Sequence, residues 1–217
     1  MAVPTSIPST PYPARLDIDY PEELDRFSTI LRLIYIIPIL IVLGVLSGSG
    51  TVTFTNEAGD RVTETAGGIT SGLAIATAIL ILFRQRYPRW WFDFAVEFTR
   101  FAARVGAYLG LLTDRYPSTV EQQAVHLDVD YPDVERDLNR WLPLVKWLLV
   151  IPHLLVLVVL SIGAVLAVIA AWFAIVATGR YPRVLFDYVV GVSRWWLRVQ
   201  AYATLLVTDR YPPFSLA

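Results

Sequence analysis

Two pairs of aspartates are the residues whose type and spacing first suggest chemistry. Asp17 and Asp19 precede one Tyr-Pro, and Asp128 and Asp130 precede another. Alternate residues of a strand point to one face, so each pair would present two carboxylates together. Four carboxylates could bind Ca²⁺ or Mg²⁺ if the strands met, whereas nearby arginines could instead neutralise them. We expect these aspartates to form ion pairs, and we expect no metal and no cofactor. The expected ion-pair partners are Arg86, Arg115, Arg180 and Arg210.

Other reactive side chains are scarce. The chain has no cysteine and two histidines, which argues against thiolate metal sites and a haem held by two histidines. His153 lies in an apolar run, where a satisfied polar group is the simplest interpretation, and His126 begins one aspartate motif. We assign no catalytic residue and expect a protein that is not an enzyme.

Charged residues recur after each of two Arg-Tyr-Pro motifs, in a pattern that we call the stripe. Steps of three and four place them on one helix face, opposite apolar and aromatic residues. The stripe residues are Arg89, Asp93, Glu97, Arg100 and Arg104, matched by Arg183, Asp187, Gly191, Arg194 and Arg198. Such a helix suits the membrane interface, whereas a spanning helix would need the stripe to line a polar path.

We predict that the stripe helices lie flat and bind lipid headgroups. Arg89 and Arg183 have an acid one turn later, but the other four stripe arginines have none at that spacing. These four should therefore contact lipid phosphates while tryptophans enter the acyl boundary. The predicted headgroup-binding residues are Arg89, Arg100, Arg104, Arg183, Arg194, Arg198, Trp90, Trp91, Trp195 and Trp196.

The composition indicates a membrane protein. Of 217 residues, 55% are hydrophobic and 17% charged, and mean hydropathy is +0.52. The 18 basic residues nearly balance 19 acidic ones, which argues against a nucleic-acid partner. Uncharged runs begin near Leu33, Thr65 and Trp147, and about 20 apolar residues suffice for one span.

The longest apolar run, Trp147–Gly179, exceeds one span. We predict a tight turn at Ser161-Ile162-Gly163 between helices near 144–161 and 164–179. The first apolar run should act as an uncleaved insertion signal. The loop 47–68 holds one basic residue, so the positive-inside rule places it outside, with both termini and 84–140 cytoplasmic. Within the loop, Val52 and Phe54 before a turn at 56–60 suggest a β-hairpin, although a flexible connector fits equally.

The motifs recur in order, which predicts a tandem repeat. Residues 15–21 recur as 126–132, Arg32 as Lys146, Arg86-Tyr87-Pro88 as Arg180-Tyr181-Pro182, and 113–117 as 208–212. The expected domains are 1–117, with the loop 47–68 inserted, and 118–217. Each repeat should contain a short strand, a transmembrane helical hairpin and an amphipathic interfacial helix. The fold class is therefore an all-α membrane protein, with parallel repeats about an axis along the membrane normal.

The second repeat resembles a bacterial membrane-protein family known as domain of unknown function 4389. The resemblance rests on Ile151-Pro152-His153, on 178–182 and on 208–215, and it extends over both repeats. The first repeat departs from the pattern at Ile39, Gln85 and Ser118. This family implies no established activity.

The expected function is non-catalytic. A scaffold, accessory subunit or membrane-shaping module would use apolar hairpins and basic, aromatic helices at the cytoplasmic headgroup layer. The alternative is a small channel or transporter built from parallel repeats, with the stripes lining a path. We expect a multi-pass protein of the bacterial cytoplasmic membrane. Its expected partners are anionic phospholipids, and it should form a homo-oligomer or belong to a larger membrane complex.

Overall fold

The computed structural model describes residues 11–47, 50–55, 61–66, 68–118, 121 and 123–217. Most of these residues are helical, and two short sheets complete the structure. The elements in chain order are β1 (Ala14–Ile18), α1 (Arg26–Tyr35), α2 (Ile37–Ser47), β2 (Gly50–Thr55), β3 (Arg61–Ala66), α3 (Ile69–Arg84), α4 (Arg89–Leu109), β4 (Val125–Val129), α5 (Val134–Asp137), α6 (Pro143–Leu149), α7 (Ile151–Thr178) and α8 (Arg183–Ala203).

The two aspartate motifs form one antiparallel sheet. β1 pairs with β4 so that Leu16 lies opposite Leu127, and these leucines hold the same place in the recurring motif. A local twofold axis therefore passes between them, perpendicular to the sheet. We call residues 1–117 the first half and 118–217 the second half.

The sheet has one buried face and one exposed face. Alternate residues of β1 are buried, including Leu16 and Ile18, and Val125 and Leu127 of β4 are buried beside them. They join one hydrophobic core with residues of α4, α7 and α8. α4 packs on β4 and α8 packs on β1, so each stripe helix covers the strand of the other half.

The loop 47–68 contains the hairpin that its sequence suggested. β2 and β3 pair antiparallel, with Thr51 opposite Thr65 and Thr53 opposite Thr63. The turn predicted at 56–60 lies outside the described residues. The hairpin is flanked by the apolar helices α2 and α3.

The turn predicted at Ser161-Ile162-Gly163 is wrong, because α7 continues through it for 28 residues. α8 contacts this place instead. The indole nitrogen of Trp196 donates to the Ser161 hydroxyl oxygen at 2.9 Å. A Cβ atom on Gly163 would lie 2.5 Å from the Tyr188 hydroxyl oxygen. The small residues therefore permit close packing of two helices, a use that the sequence pattern does not distinguish from a turn.

Both halves break an apolar segment at the same place. α1 and α2 meet at Ile36 with a bend of 42°, and α6 and α7 meet at the matching Val150. Pro38 and Pro152 follow in the first turn of the next helix, where a proline needs no backbone N–H. The prolines therefore mark the beginning of a new helix.

One described helix, α7, is long and apolar enough to cross a membrane. The bent pair α1–α2 would be a second such segment if it formed one span. α3 is apolar but shorter. Length and composition thus indicate membrane association and leave the number of crossings open.

We expect Gly163→Ala to leave the free energy of unfolding unchanged, whereas the same substitution at Gly44 should raise it. Gly44 lies in α2 with open space around it, so Gly44→Ala should add about 0.5–1 kcal/mol to the free energy of unfolding. Gly163→Ala should displace the Tyr188 hydroxyl from its 3.0 Å hydrogen bond to the Leu160 carbonyl oxygen. That loss of about 1 kcal/mol should cancel the helix gain. Thermal unfolding in mild detergent measures both, and equal gains would contradict the packing role of Gly163.

Candidate functional site

The outer face of the β1–β4 sheet is a charged, water-accessible surface. Arg15 donates to both carboxylate oxygens of Asp130, at 3.1 and 2.7 Å, and this carboxylate raises the pKa of Arg15. The His126 ring nitrogen lies 3.1 Å from an Asp19 carboxylate oxygen. Exposed pairs of this kind contribute about 0–1 kcal/mol each. The face therefore adds solubility more than stability.

The aspartate partners differ from those predicted. Asp17 pairs with Arg194 at 2.7 Å, Asp130 with Arg15 and Asp19 with His126. The predicted partners Arg86, Arg115, Arg180 and Arg210 are wrong for these three aspartates. Antiparallel register explains the pairs of Asp130 and Asp19, because it places basic residues of one strand beside aspartates of the other, whereas Arg194 reaches Asp17 from α8. Among the described residues, no cluster of three or more acidic or histidine side chains could hold a metal ion.

Two stripe arginines bind the edges of the sheet. The Arg100 guanidinium donates to the Leu127 carbonyl oxygen at 3.2 and 2.9 Å, and Arg194 donates to the Leu16 carbonyl oxygen at 2.8 Å. These carbonyls belong to a non-hydrogen-bonded pair, so they point away from the partner strand. Each arginine therefore satisfies a backbone group that an edge strand leaves unpaired.

Arg104 and Arg198 are the other two stripe arginines without an acid one turn later, and they point into the protein. Arg104 donates to the Ser118 carbonyl oxygen at 2.5 Å, and Arg198 donates to the carbonyl oxygens of Ala217, at 2.7 Å, and Ser215. Both arginines are 8% exposed. Burial lowers the pKa of Arg198, although Tyr12 opposes this effect. The four arginines that were predicted to contact phosphates therefore all have partners within the protein, and their binding of headgroups stays a prediction.

The stripe tryptophans divide in the same way. The indole N–H of Trp91 donates to the Thr77 hydroxyl at 2.9 Å, and that of Trp195 donates to His153 Nδ1 at 3.0 Å. Trp195 is buried, and Trp196 binds Ser161. Trp90 alone of the four has most of its surface, 69%, exposed. Three of these tryptophans therefore join one helix to another.

The other predicted headgroup residues, Arg89 and Arg183, are exposed. They pair with Asp93 at 3.3 Å and Asp187 at 3.2 Å, as their spacing suggests. Each guanidinium also lies over a tyrosine of the opposite half, Arg89 over Tyr131 at 4.6 Å and Arg183 over Tyr20 at 4.4 Å. These two arginines keep an outward surface that a headgroup could reach.

Each half buries a second cation, at the base of its apolar helices. Lys146 Nζ lies 2.7 Å from an Asp209 carboxylate oxygen and 2.7 Å from the Thr208 carbonyl oxygen. Arg32 pairs with Asp114 and donates to the Thr113 carbonyl oxygen at 3.1 Å. Both cations are almost completely buried, and each faces a tyrosine ring. The sequence analysis missed this pair of sites, although their residues recur at matched positions.

His153 lies in a buried aromatic cluster at the beginning of α7. Its ring stacks on Phe214 with 3.9 Å between centroids, and Tyr211 and Trp195 complete the cluster. Its Nδ1 accepts the Trp195 hydrogen bond, so the histidine has a structural partner. The interpretation of His153 as a satisfied polar group holds for Nδ1 only, because Nε2 is buried and has no hydrogen-bond partner among the described residues.

The surface has an unusually large number of exposed apolar side chains. Leu155, Val159 and Phe173 are 68%, 67% and 64% exposed, although they belong to α7, a long apolar helix. Large exposed side chains continue over neighbouring helices: Phe27, Leu33 and Ile34 of α1, Ile41 and Val45 of α2, and Trp147 of α6. Contiguous exposed apolar surface of this kind marks a binding face.

Comparison with known proteins gives one match. Residues 141–215 match the model of a family described as "Domain of unknown function (DUF4389)". The matched segment contains α6, α7, α8 and the following residues, so one copy is found, in the second half. No curated protein and no solved structure matches the chain.

We expect the Lys146–Asp209 pair to be costly to break. Asp209→Asn should leave a buried cation without its counter-charge and lower the free energy of unfolding by about 3 kcal/mol. Asp187→Asn, which removes an exposed ion pair, should cost less than about 1 kcal/mol. Denaturant unfolding in mild detergent compares the two variants.

The deficit of Asp209→Asn should shrink as pH rises. Burial lowers the pKa of Lys146 and Asp209 opposes this effect, so the variant's lysine should lose its proton more readily. Below the usual lysine pKa of 10.5, the unfolded chain then binds more protons than the folded protein, so stability rises with pH. A deficit that stays constant up to that pH would contradict burial of the charged lysine.

Proposed function

We propose that this protein is a non-catalytic membrane module built of two tandem copies. It binds the lipid bilayer through the exposed apolar surface of α1, α2, α6 and α7, which we call the apolar layer. The exposed side chains of α7 carry this proposal, because a water-soluble protein rarely exposes so much contiguous apolar surface. Scaffold, accessory subunit and membrane-shaping protein are all roles that such a module could serve.

Matched contacts support two copies. Arg32 with Asp114 and Lys146 with Asp209 make equivalent buried pairs. Two buried hydrophobic clusters also correspond in part. Ile36, Phe101 and Val105 of one cluster match Val150, Trp195 and Val199 of the other. Contacts that recur between residues at matched motif positions are typical of a duplicated unit.

The distribution of basic residues supports the bacterial cytoplasmic membrane, with both termini on the cytoplasmic side. Exposed Arg89, Arg183 and Trp90 are the stripe residues still available to phospholipid headgroups. Trp141 and Trp147 are also exposed at the two ends of α6, as tryptophans of the interface often are. Few stripe charges remain exposed towards headgroups, so we propose that the apolar layer supplies most of the attraction and that association into an oligomer or complex is secondary.

The channel alternative required the stripes to line a polar path. The arginines Arg100, Arg104, Arg194 and Arg198 donate to backbone carbonyls inside the protein. A path through the molecule would have to break these bonds. We therefore favour the membrane module.

Three substitutions in the apolar layer should weaken membrane binding. We choose Leu155→Asn, Val159→Asn and Leu166→Asn in α7, which are exposed and should not disturb the core. Because burial of each large apolar side chain contributes about 1.5–3 kcal/mol, the triple variant should be extracted from cell membranes by alkaline carbonate while the native chain remains.

The matched control is Glu22→Gln, Glu23→Gln and Glu135→Gln, at exposed acidic positions outside this layer. The control should stay membrane-bound. Flotation after the carbonate wash measures both variants, and unfolding in detergent checks that each is folded. Release of the native chain by salt alone would overturn the proposal, because charge would then hold it.

A further inference from the structure

The two ends of α7 are held at nearly equivalent places in the two halves. At its C-terminal end, the Gly179 carbonyl oxygen accepts the Leu24 backbone N–H at 2.9 Å. The next residue, Asp25, donates its N–H to Asp114. At the other end, α7 follows α6, and α6 begins shortly after Asn139. The Asn139 backbone N–H donates to the Asp209 carboxylate. Asp25 and Asn139 are matched residues, so they lie at one height along the twofold axis.

This arrangement limits how far α7 can rise along the axis. The helix is 28 residues and therefore about 42 Å long, and about 20 Å of chain separates Asn139 from its beginning. The matched joint of α1 and α2 bends by 42°. If the joint at Val150 bends by the same angle, a descent through α6 and a return through α7 to the same height place α7 within about 20° of the sheet plane, rising by about 15 Å. A transmembrane helix must cross about 30 Å of acyl chains.

The sheet fixes the direction of the axis relative to the membrane. Its outer face carries Arg15, Asp17 and His126, which are exposed and must remain in water. The axis is perpendicular to this face, and α8 separates α7 from β1. The axis therefore runs from water towards lipid, and a helix that lies near the sheet plane also lies near the membrane plane.

The β2–β3 hairpin gives an independent indication. Ser47 matches Ser161 at the offset of Pro38 and Pro152, and Thr70 matches Ala164 at the offset of the Arg-Tyr-Pro motifs. The hairpin is therefore inserted at the place that corresponds to the middle of α7. If the helices crossed the bilayer, the hairpin would join the chain at the bilayer centre. Lipid there offers no hydrogen-bond partner to the backbone N–H and C=O groups of the hairpin. In a helix parallel to the surface, the middle is as close to water as the ends.

We propose that the apolar layer enters a single leaflet, with α7 parallel to the membrane surface and none of the described helices crossing the bilayer. The partner is the acyl chains just below the headgroups of that leaflet. This inference rests on the membrane binding proposed above. It replaces the multi-pass topology expected from sequence, and it places the β2–β3 hairpin on the same side as the sheet.

Spin labels along α7 test the orientation. The chain has no cysteine, so single cysteines can replace Leu155, Ile162, Ile169 and Phe173, all of which are exposed on α7. The full-length variants are reconstituted in phosphatidylcholine–phosphatidylglycerol vesicles, and oxygen and nickel chelate accessibilities give the depth of each label. We expect all four depths within about 10 Å and on one side of the bilayer centre. A profile deepest at Ile162 and shallow towards both ends would overturn the proposal.

Sidedness gives a second measurement. Cysteines that replace Arg136, before α7, and Arg180, after it, should react from the same side of sealed vesicles with an impermeant maleimide. A cysteine that replaces Thr53 in β2 should react from that side too. Labelling of Arg136→Cys and Arg180→Cys from opposite sides would show that α7 crosses. If the α7 labels are instead reached by the nickel chelate as freely as in water, membrane binding itself fails, and the result distinguishes the two proposals.

Discussion

The antiparallel pairing of β1 with β4 is the constraint on which the rest of the fold depends. Each strand belongs to a different half and has one neighbour, so the outward carbonyls of Leu16 and Leu127 need partners from elsewhere. Arg194 and Arg100 supply them from α8 and α4. The stripe helices are thereby fixed across the sheet, and the apolar helices are placed in turn by packing on them.

The buried cations fasten the apolar helices to the rest of the protein. α1 and α6 expose apolar side chains that could slide over many positions, but Arg32 and Lys146 each fit one carboxylate and one set of carbonyls. A buried ion pair adds little net stability compared with an apolar pair of the same size. Its contribution here is to select one position, because any other would leave a charge buried and unpaired.

The sequence was most informative where a feature is local or repeated. The strands, the stripe helices and the β2–β3 hairpin follow from spacing and turn residues, and the buried cations could have been found from their recurrence. The turn at Ser161-Ile162-Gly163 could not be settled, since small residues in an apolar run suit either a turn or close helix packing. The partners of Arg194 and Arg198 were also out of reach, because an i+4 rule considers only one helix whereas Leu16 is 178 residues away.

The sheet contains one strand from each half, and this has a consequence for chains that carry a single copy. The family match is confined to one half, 141–215. A chain with one such half would have an aspartate strand without a partner, and it could complete the sheet only by pairing with a second molecule about the same axis. Two halves in one polypeptide convert that encounter into an intramolecular one, so assembly no longer depends on protein concentration in the membrane. Under the proposed duplication, the first half can carry an insertion that a symmetric homodimer would have to carry twice.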